Sequence, residues 1–411
     1  MNTFFILIKL AWRNIFRNKR RTLITAIAVG MGLASLIFVD ALMKGMEKNM
    51  ILSGTASLIG EGQIHANDFR STQDVNLTIN NLSQITESLN QEPIIEHFTL
   101  RTISFGMITS PSDVSSINLL GVNPETEQHL SEFDDTIIKG SYFKDINKRN
   151  IVIGSKLAEL LEVDIGDRVV VTVAQSVSGE LSQELFKVSG IYNFNIKELD
   201  TALALINLDQ AQKMLTISDN VHEIALKFND ANVAQDETLP FWEKYSQNGN
   251  EAVGWTKLLP ELKAALDLSG LSILIMGIIL FGIVSLGILN TLFMSLYERM
   301  FEFGVLRAVG TRPFAIAQLI LYEAGSLSAI SIAVGSLIGF VVLTIISHTG
   351  IDYTGIEFAG VTFRRLLYPI ITIGQFIRYP LWVFVFTLVC AIYPALYAAR
   401  MSAIEAMRKS F

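Results

Sequence analysis

The side chains best suited to chemistry in this 411-residue sequence are few and scattered. Glu323 is the only carboxylate well inside a long apolar stretch. Burying a charge at the centre of a bilayer costs roughly 2.5–3.5 kcal/mol on insertion scales. Glu323 must therefore face protein, pair with a cation or hold a proton. A proton relay needs a second carboxylate at similar depth, and the middle of the apolar runs offers none, so structural pairing is the expectation. His65, His97, His129, His222 and His348 stand apart from one another. They form no HExxH and no zinc-ligand spacing, so each reads as a surface or core residue. The sequence has no GxxxxGK[ST] phosphate loop and no GxSxG nucleophile turn. The expectation is a chain that is not an enzyme, with no catalytic, cofactor-binding or metal-binding residues of its own.

The elements that carry these residues follow from composition. The chain is 50% hydrophobic and 17% charged, with a mean hydropathy of +0.42. Soluble chains carry about 25% charged residues. Four runs are long enough to cross a bilayer as helices: 23–43, 268–296, 314–347 and 381–399. A crossing needs about 20 apolar residues, because in lipid the backbone must satisfy its own hydrogen bonds. The second run carries no charge, Glu323 interrupts the third, and the fourth contains Pro394 and Cys390. Cys390 is the single cysteine, so no internal disulfide forms and an exported domain must rest on its own core. The first run is too long for a secretory signal and reads as a retained anchor. Small residues recur at Ala26, Gly30 and Ala34 in the first run and at Gly335 and Gly339 in the third. That spacing lets helix backbones approach closely.

Charge assigns the sides. Residues 1–22 carry Lys9, Arg13, Arg17, Lys19, Arg20 and Arg21 and no acid. The loop 298–313 carries Arg299, Arg307 and Arg312, and the tail 400–411 carries Arg400, Arg408 and Lys409. Basic residues beside membrane helices mark the cytoplasmic face, and four crossings put these three segments together. Residues 44–265 hold 17 Lys+Arg against 31 Asp+Glu, a net −14, leaving +7 for the remainder. Arg364, Arg365 and Arg378 in the outer loop 348–380 are a mild exception.

The predicted order is a cytoplasmic amphipathic helix over 1–22, transmembrane helices over 23–43, 266–297, 314–347 and 381–399, and a cytoplasmic tail over 400–411. In the first of these, Phe4, Phe5, Ile8, Trp12, Ile15 and Phe16 share one side with basic residues opposite, which suits the inner headgroup layer. Between helices one and two, 44–265 alternates strand patterns with short helices. Residues 169–173 and 186–191 show period-two alternation. The segment is a large mixed α/β extracytoplasmic domain, expected as two subdomains.

The stretches AWRNIFRNKRRTLIT (11–25), YERMFEFGVLRAVGTRP (297–313) and YPALYAARMSAIEAMR (393–408) resemble the FtsX-like permeases of ABC transporters. The second is the most specific. Outer pieces such as GEGQIHANDF (60–69) and IVIGSKLAELLEVDIGDRVVV (151–171) resemble the MacB-type periplasmic core domain, and the set is closest to the LolC/LolE lipoprotein-release permeases. The resemblance implies an inner-membrane location with both termini cytoplasmic. It also implies a coupling loop for an ATPase subunit, made of Glu298, Arg299, Phe301, Glu302, Phe303, Gly304, Leu306, Arg307 and Gly310. Charged groups there would supply charge-assisted contacts, and Phe301, Phe303, Val305 and Leu306 an apolar knob. ATP and Mg²⁺ would be bound by that partner, present in two copies. The other implied partners are a second permease, identical or paralogous, a periplasmic or lipoprotein partner, and membrane lipid. Nucleic acid is not implied.

Two other readings stand beside lipoprotein release. One is MacB-like efflux of a peptide or drug; the other is an FtsX-like transmitter that activates an outer hydrolase or sensor. The expectation that no ATPase domain is fused to this chain separates it from MacB itself. Residues 42–46, LMKGM, depart from the Lol pattern.

Overall fold

Long uncharged runs become helices here because helix is the conformation that satisfies every backbone group locally. The computed structural model describes residues 3–143, 149–194, 196–230, 233–358, 361–363 and 366–402. Arg364, Arg365, Arg408 and Lys409, and the side chains of Phe4, Phe5 and Ile8, lie outside what is described. The chain divides into two compact units. One comprises Met1–Lys48, Leu266–Tyr353 and Arg365–Phe411; the other comprises Asn49–Ala265 and Thr354–Arg364.

The first unit is helical. A leading helix, α1 (Thr3–Arg17), breaks at Asn18, and α2 (Lys19–Gly54) begins at once. Asn18 assists that start by accepting the Arg21 backbone N–H through its side-chain oxygen, at 3.4 Å. The remaining helices of the unit are α3 (Pro260–Glu298), α4 (Met300–Ala308), α5 (Pro313–Thr349) and α6 (Gln375–Arg400). Four of them, α2, α3, α5 and α6, are long and apolar enough to cross a membrane. At 1.5 Å per residue, the 36 residues of α2 and 39 of α3 measure about 54 and 58 Å. Both exceed a hydrocarbon core of about 30 Å.

The two small-residue stripes meet within this one chain. A methyl group built on Gly335 would lie 2.5 Å from the Gly30 carbonyl oxygen, and one on Gly30 would lie 3.0 Å from the Gly335 nitrogen. Helices α2 and α5 therefore touch backbone to backbone, with Ala26 buried and Ala34 set against Gly339. Further along α2, Asp40 is buried and held by several partners. It accepts from Gln375 (2.7 Å) and Tyr379 (2.8 Å) of α6 and pairs with Lys44 (3.0 Å). This second carboxylate is satisfied by the start of α6 together with Lys44 of its own helix, as a polar group in an apolar setting must be.

Among the described residues, the main sheet of the second unit has ten strands: β1 (Gly62–Ala66), β2 (Ile95–Thr109), β3 (Val114–Val122), β4 (Ile137–Gly140), β5 (Asn150–Gly154), β6 (Arg168–Ala174), β7 (Leu181–Tyr192), β8 (Leu203–Asn207), β9 (Glu223–Phe228) and β10 (Asn250–Gly254). They form one sheet in the order β10-β1-β9-β2-β3-β8-β5-β7-β4, and β6 joins β2 to β7. Strands β2, β3, β8, β5, β7 and β6 thus close a ring. One face of the ring packs Ile108, Val171, Phe186 and Val188 with Leu157 and Met214 from short helices. The long strand β2 runs through both halves of the sheet, pairing with β9 over its first part and with β3 over its second. The segment read as two subdomains is therefore spanned by a single sheet.

The Gly30–Gly335 contact yields a paired prediction. Overpacking a close contact costs about 1–3 kcal/mol. Gly335→Ala is expected to lower the thermal midpoint of the detergent-solubilised chain. Gly339→Ala should leave it nearly unchanged, because there a methyl meets Ala34 at an ordinary 3.5 Å. Equal midpoints for the two variants would contradict the packing described.

Candidate functional site

The turn between α3 and α5 is made by short-range rules. Helix α3 stops at Glu298, and Arg299 leaves helical geometry with φ −107° and ψ 12°. Helix α4 then runs to Ala308 and ends at Gly310, whose φ of +93° suits glycine. Pro313 at the first helical position starts α5. Thr311 donates its N–H to the Leu306 carbonyl at 2.9 Å, closing the turn.

Helix α4 has two faces. Met300, Phe303 and Gly304 are buried, the first two in a cluster with Ala11, Leu296, Ile316 and Ile320. Phe301, Val305, Leu306 and Val309 are exposed, as is Phe314 just beyond the turn. Val309 is 82% exposed and Phe314 70%. Spacing accounts for the stripe: positions 301, 305 and 309 recur every four residues on one side of the helix.

The site expected from sequence is therefore divided. Phe301, Glu302 and Leu306 are presented outward, while Arg299, Phe303 and Gly304 are not. Phe303 belongs to the core because its spacing with Met300 turns it toward α5. Arg299 is 7% exposed because it pairs with Glu323 on α5. Glu298 is exposed and pairs with Arg21 of α2. Arg307 is half-buried and donates weakly to the Thr311 carbonyl at 3.4 Å. Gly310 has open space around it.

The Arg299–Glu323 pair is the centre of a charge network. Glu323 also accepts from Asn14 Nδ2 of α1 at 2.7 Å. Arg299 Nε donates to Glu302 at 3.1 Å, and Arg17 of α1 donates to the other Glu302 oxygen at 2.7 Å. The Arg299 guanidinium lies 5.1 Å from the Phe303 ring centre, within cation–π range. Partial burial raises the Glu302 carboxyl pKa, but the bonds from Arg17 and Arg299 outweigh that and hold it below its ordinary value. The chemistry of this set is positional: three arginines and three glutamates tie α1, α2, α3, α4 and α5 together. No cluster of potential metal ligands exists among the described residues.

Sequence reading found Glu323 and its need for a partner. It missed Asn14, whose amide carries no signal until α1 is placed against α5. It also missed that Asp40 at the end of the first apolar run is a second carboxylate held by protein.

Removing one member of a buried pair leaves the other uncompensated and costs about 3–5 kcal/mol. Glu323→Leu alone should therefore destabilise the bundle strongly, whereas Glu323→Leu with Arg299→Met should recover most of the loss. Arg17→Ala, which breaks an exposed pair, should cost about 0.2–1 kcal/mol. Thermal midpoints of the three variants in detergent check this ordering.

The family model described as MacB-like periplasmic core domain matches residues 22–237, and the one described as FtsX-like permease C-terminal matches 274–403. The lipoprotein-releasing system transmembrane protein LolC of Buchnera aphidicola subsp. Schizaphis graminum is 21% identical over 350 residues, covering 82% of this chain and 83% of its own. The corresponding protein LolE of Haemophilus influenzae is 22% identical over 353 residues, covering 83% and 82%. Among solved structures, the periplasmic region of MacB from Actinobacillus actinomycetemcomitans aligns at a TM-score of 0.35 and 12% identity, covering 52% of this chain and 95% of that one. Two family models matching in order across most of the sequence establish the affiliation: the chain belongs to the FtsX-like permeases that carry a MacB-like periplasmic core domain.

Proposed function

We propose that this chain is the membrane subunit of an ABC transporter in the cytoplasmic membrane, and that it passes the motion of a separate ATPase to its outer domain. The observation that carries the reading is the exposed apolar set Phe301, Val305 and Leu306 on α4, Val309 at its C-terminal cap and Phe314 just past the turn, with the other face of α4 locked into the bundle. A short helix that is apolar on its outer side and braced by the buried Arg299–Glu323 pair at its start suits transmission of a push. The ATPase subunits, two per complex, dock on this stripe, and they bind ATP and Mg²⁺. This chain performs no chemistry itself. The basic flanks at 1–22, 298–313 and 400–411 support a cytoplasmic position for this end and for both termini. A second permease, identical or paralogous, completes the membrane part.

The cargo proposed is a lipoprotein released from the membrane's outer face. The support is the relatives LolC and LolE, which bear the description lipoprotein-releasing system, and the coverage of more than four-fifths of each chain. Arg299, expected from the resemblance to contact the partner, is instead buried against Glu323. Arg299 and Glu323 hold the helix in place, and the apolar stripe makes the contact.

Val309→Asp and Phe301→Asp should each weaken binding of the ATPase subunit about tenfold, on the order of 1.4 kcal/mol, with insertion and thermal midpoint unchanged. Gly304→Trp, in contrast, should fail by unfolding the bundle, since Gly304 is buried. Titrating the purified ATPase against reconstituted variants and measuring its stimulation decides the matter. Full stimulation by both aspartate variants rejects the docking stripe. Normal lipoprotein sorting in cells depleted of the chain rejects the cargo.

A further inference from the structure

The last carbonyl groups of a helix have no partner inside it and carry the negative end of its dipole. Helix α2 ends in a π turn, Thr55–Ile59, closed by the Gly60 N–H on the Thr55 carbonyl at 2.8 Å, with Gly60 at φ +74°. The chain then enters β1. Two side chains of the sheet take the freed carbonyls. Arg101 Nη1 donates to Leu58 O at 2.5 Å, and Gln63 Nε2 donates to Ile59 O at 2.8 Å.

Arg101 is fully buried, and strand register explains its setting. Glu223 on β9 lies opposite His65 on β1 and opposite Arg101 on β2. Arg101 therefore donates to Glu223 at 2.8 Å and, through Nε and Nη2, to both oxygens of Glu127 at 3.0 and 2.6 Å. Ser131 donates to Glu127 at 2.7 Å. His65 Nε2 lies 3.0 Å from the Gln63 oxygen and 3.4 Å from Glu223. A core of aliphatic residues would fill this space at less desolvation cost, so the network needs a reason beyond stability. Beside it, a recess of about 300 Å³ borders Leu58, Ile59, Gln63 and Glu223, leaving the turn room to shift.

The neighbouring exit is tied to the same place. Strand β10, which leads to α3, pairs with β1 from Gly62 opposite Gly254, and Trp255 donates its N–H to the Glu61 carbonyl at 2.9 Å. Trp255 itself is fully buried.

We infer that Arg101 is the positioning residue that grips the outer end of α2, so that displacement of this helix is passed to the sheet through the Leu58 carbonyl and the Arg101–Glu127–Glu223 network. This rests on the transmission reading above. One guanidinium bridges a helix end, β9 and the helix Pro124–Glu127, so the turn cannot slide without carrying all of them. The grip is electrostatic and directional, where apolar packing alone would let the helix end slip.

The test uses the full chain reconstituted with its ATPase, in a Cys390→Ser background. Spin labels at Ser178→Cys and Thr349→Cys report the distance between the ring and the bundle, with and without ATP. Arg101→Met is expected to retain parental ATPase stimulation but to lose the ATP-dependent distance shift, and to speed amide exchange at 55–60 while the β6–β7 hairpin stays protected. Because Arg101→Met strands two carboxylates, the triple variant with Glu127→Gln and Glu223→Gln is measured beside it. It lacks the buried charges and the grip alike, and the same uncoupling is expected. A parental distance shift in either folded variant, or unchanged exchange at 55–60, overturns the inference. If the unmodified chain shows no ATP-dependent shift, the transmission reading fails instead, and faster exchange at 55–60 then upholds the cap alone.

Discussion

A carboxylate set into an apolar helix must find a partner, and the bundle is organised around how Glu323 does so. Its partner Arg299 sits at the break between α3 and α4, so satisfying the charge also sets the angle at which the short helix leaves the long one. Asn14 fills a remaining acceptor site of the same carboxylate and thereby holds α1 against α5. Ala11, Phe303 and Ile320 pack in one apolar cluster of the same helices. Removing either member would leave an uncompensated buried charge, so the pair ties the α3–α4 break to α5.

The consequence is a helix with one face that cannot move independently and another that is bare. Phe301, Val305 and Val309 are exposed because the opposite face is already committed to the core. A loop of the same composition without the Arg299 anchor would fold its apolar residues back on the bundle or onto lipid. The exposed stripe and the buried pair are thus one feature, and the proposed docking role draws on both.

A similar arrangement recurs in the outer unit. Arg101 places a buried cation between two carboxylates and the carbonyl end of a helix. In each unit an arginine at a helix terminus converts a costly burial into a fixed geometry. The difference is the number of partners: two acidic groups and a backbone carbonyl at Arg101, against two acidic groups of which one is half-exposed at Arg299.

Much of this was legible from residue order. The four apolar runs, the charge contrast between 44–265 and the remainder, and the period-two alternation in 169–173 depend on local spacing, and local spacing sets helix and strand. Glu323 announced its need for a partner, because an isolated carboxylate in an apolar run is costly wherever the helix packs. The small-residue stripes also stood out, although that Gly30 faces Gly335 required the fold. Tertiary structure alone decided which of two neighbours, Phe301 or Phe303, is bare and which is core. It also decided that Arg101, Glu127 and Glu223, far apart in the chain, share one buried site. Those outcomes depend on strand register and helix rotation, which are set by the summed packing of distant segments rather than by any residue's immediate neighbours.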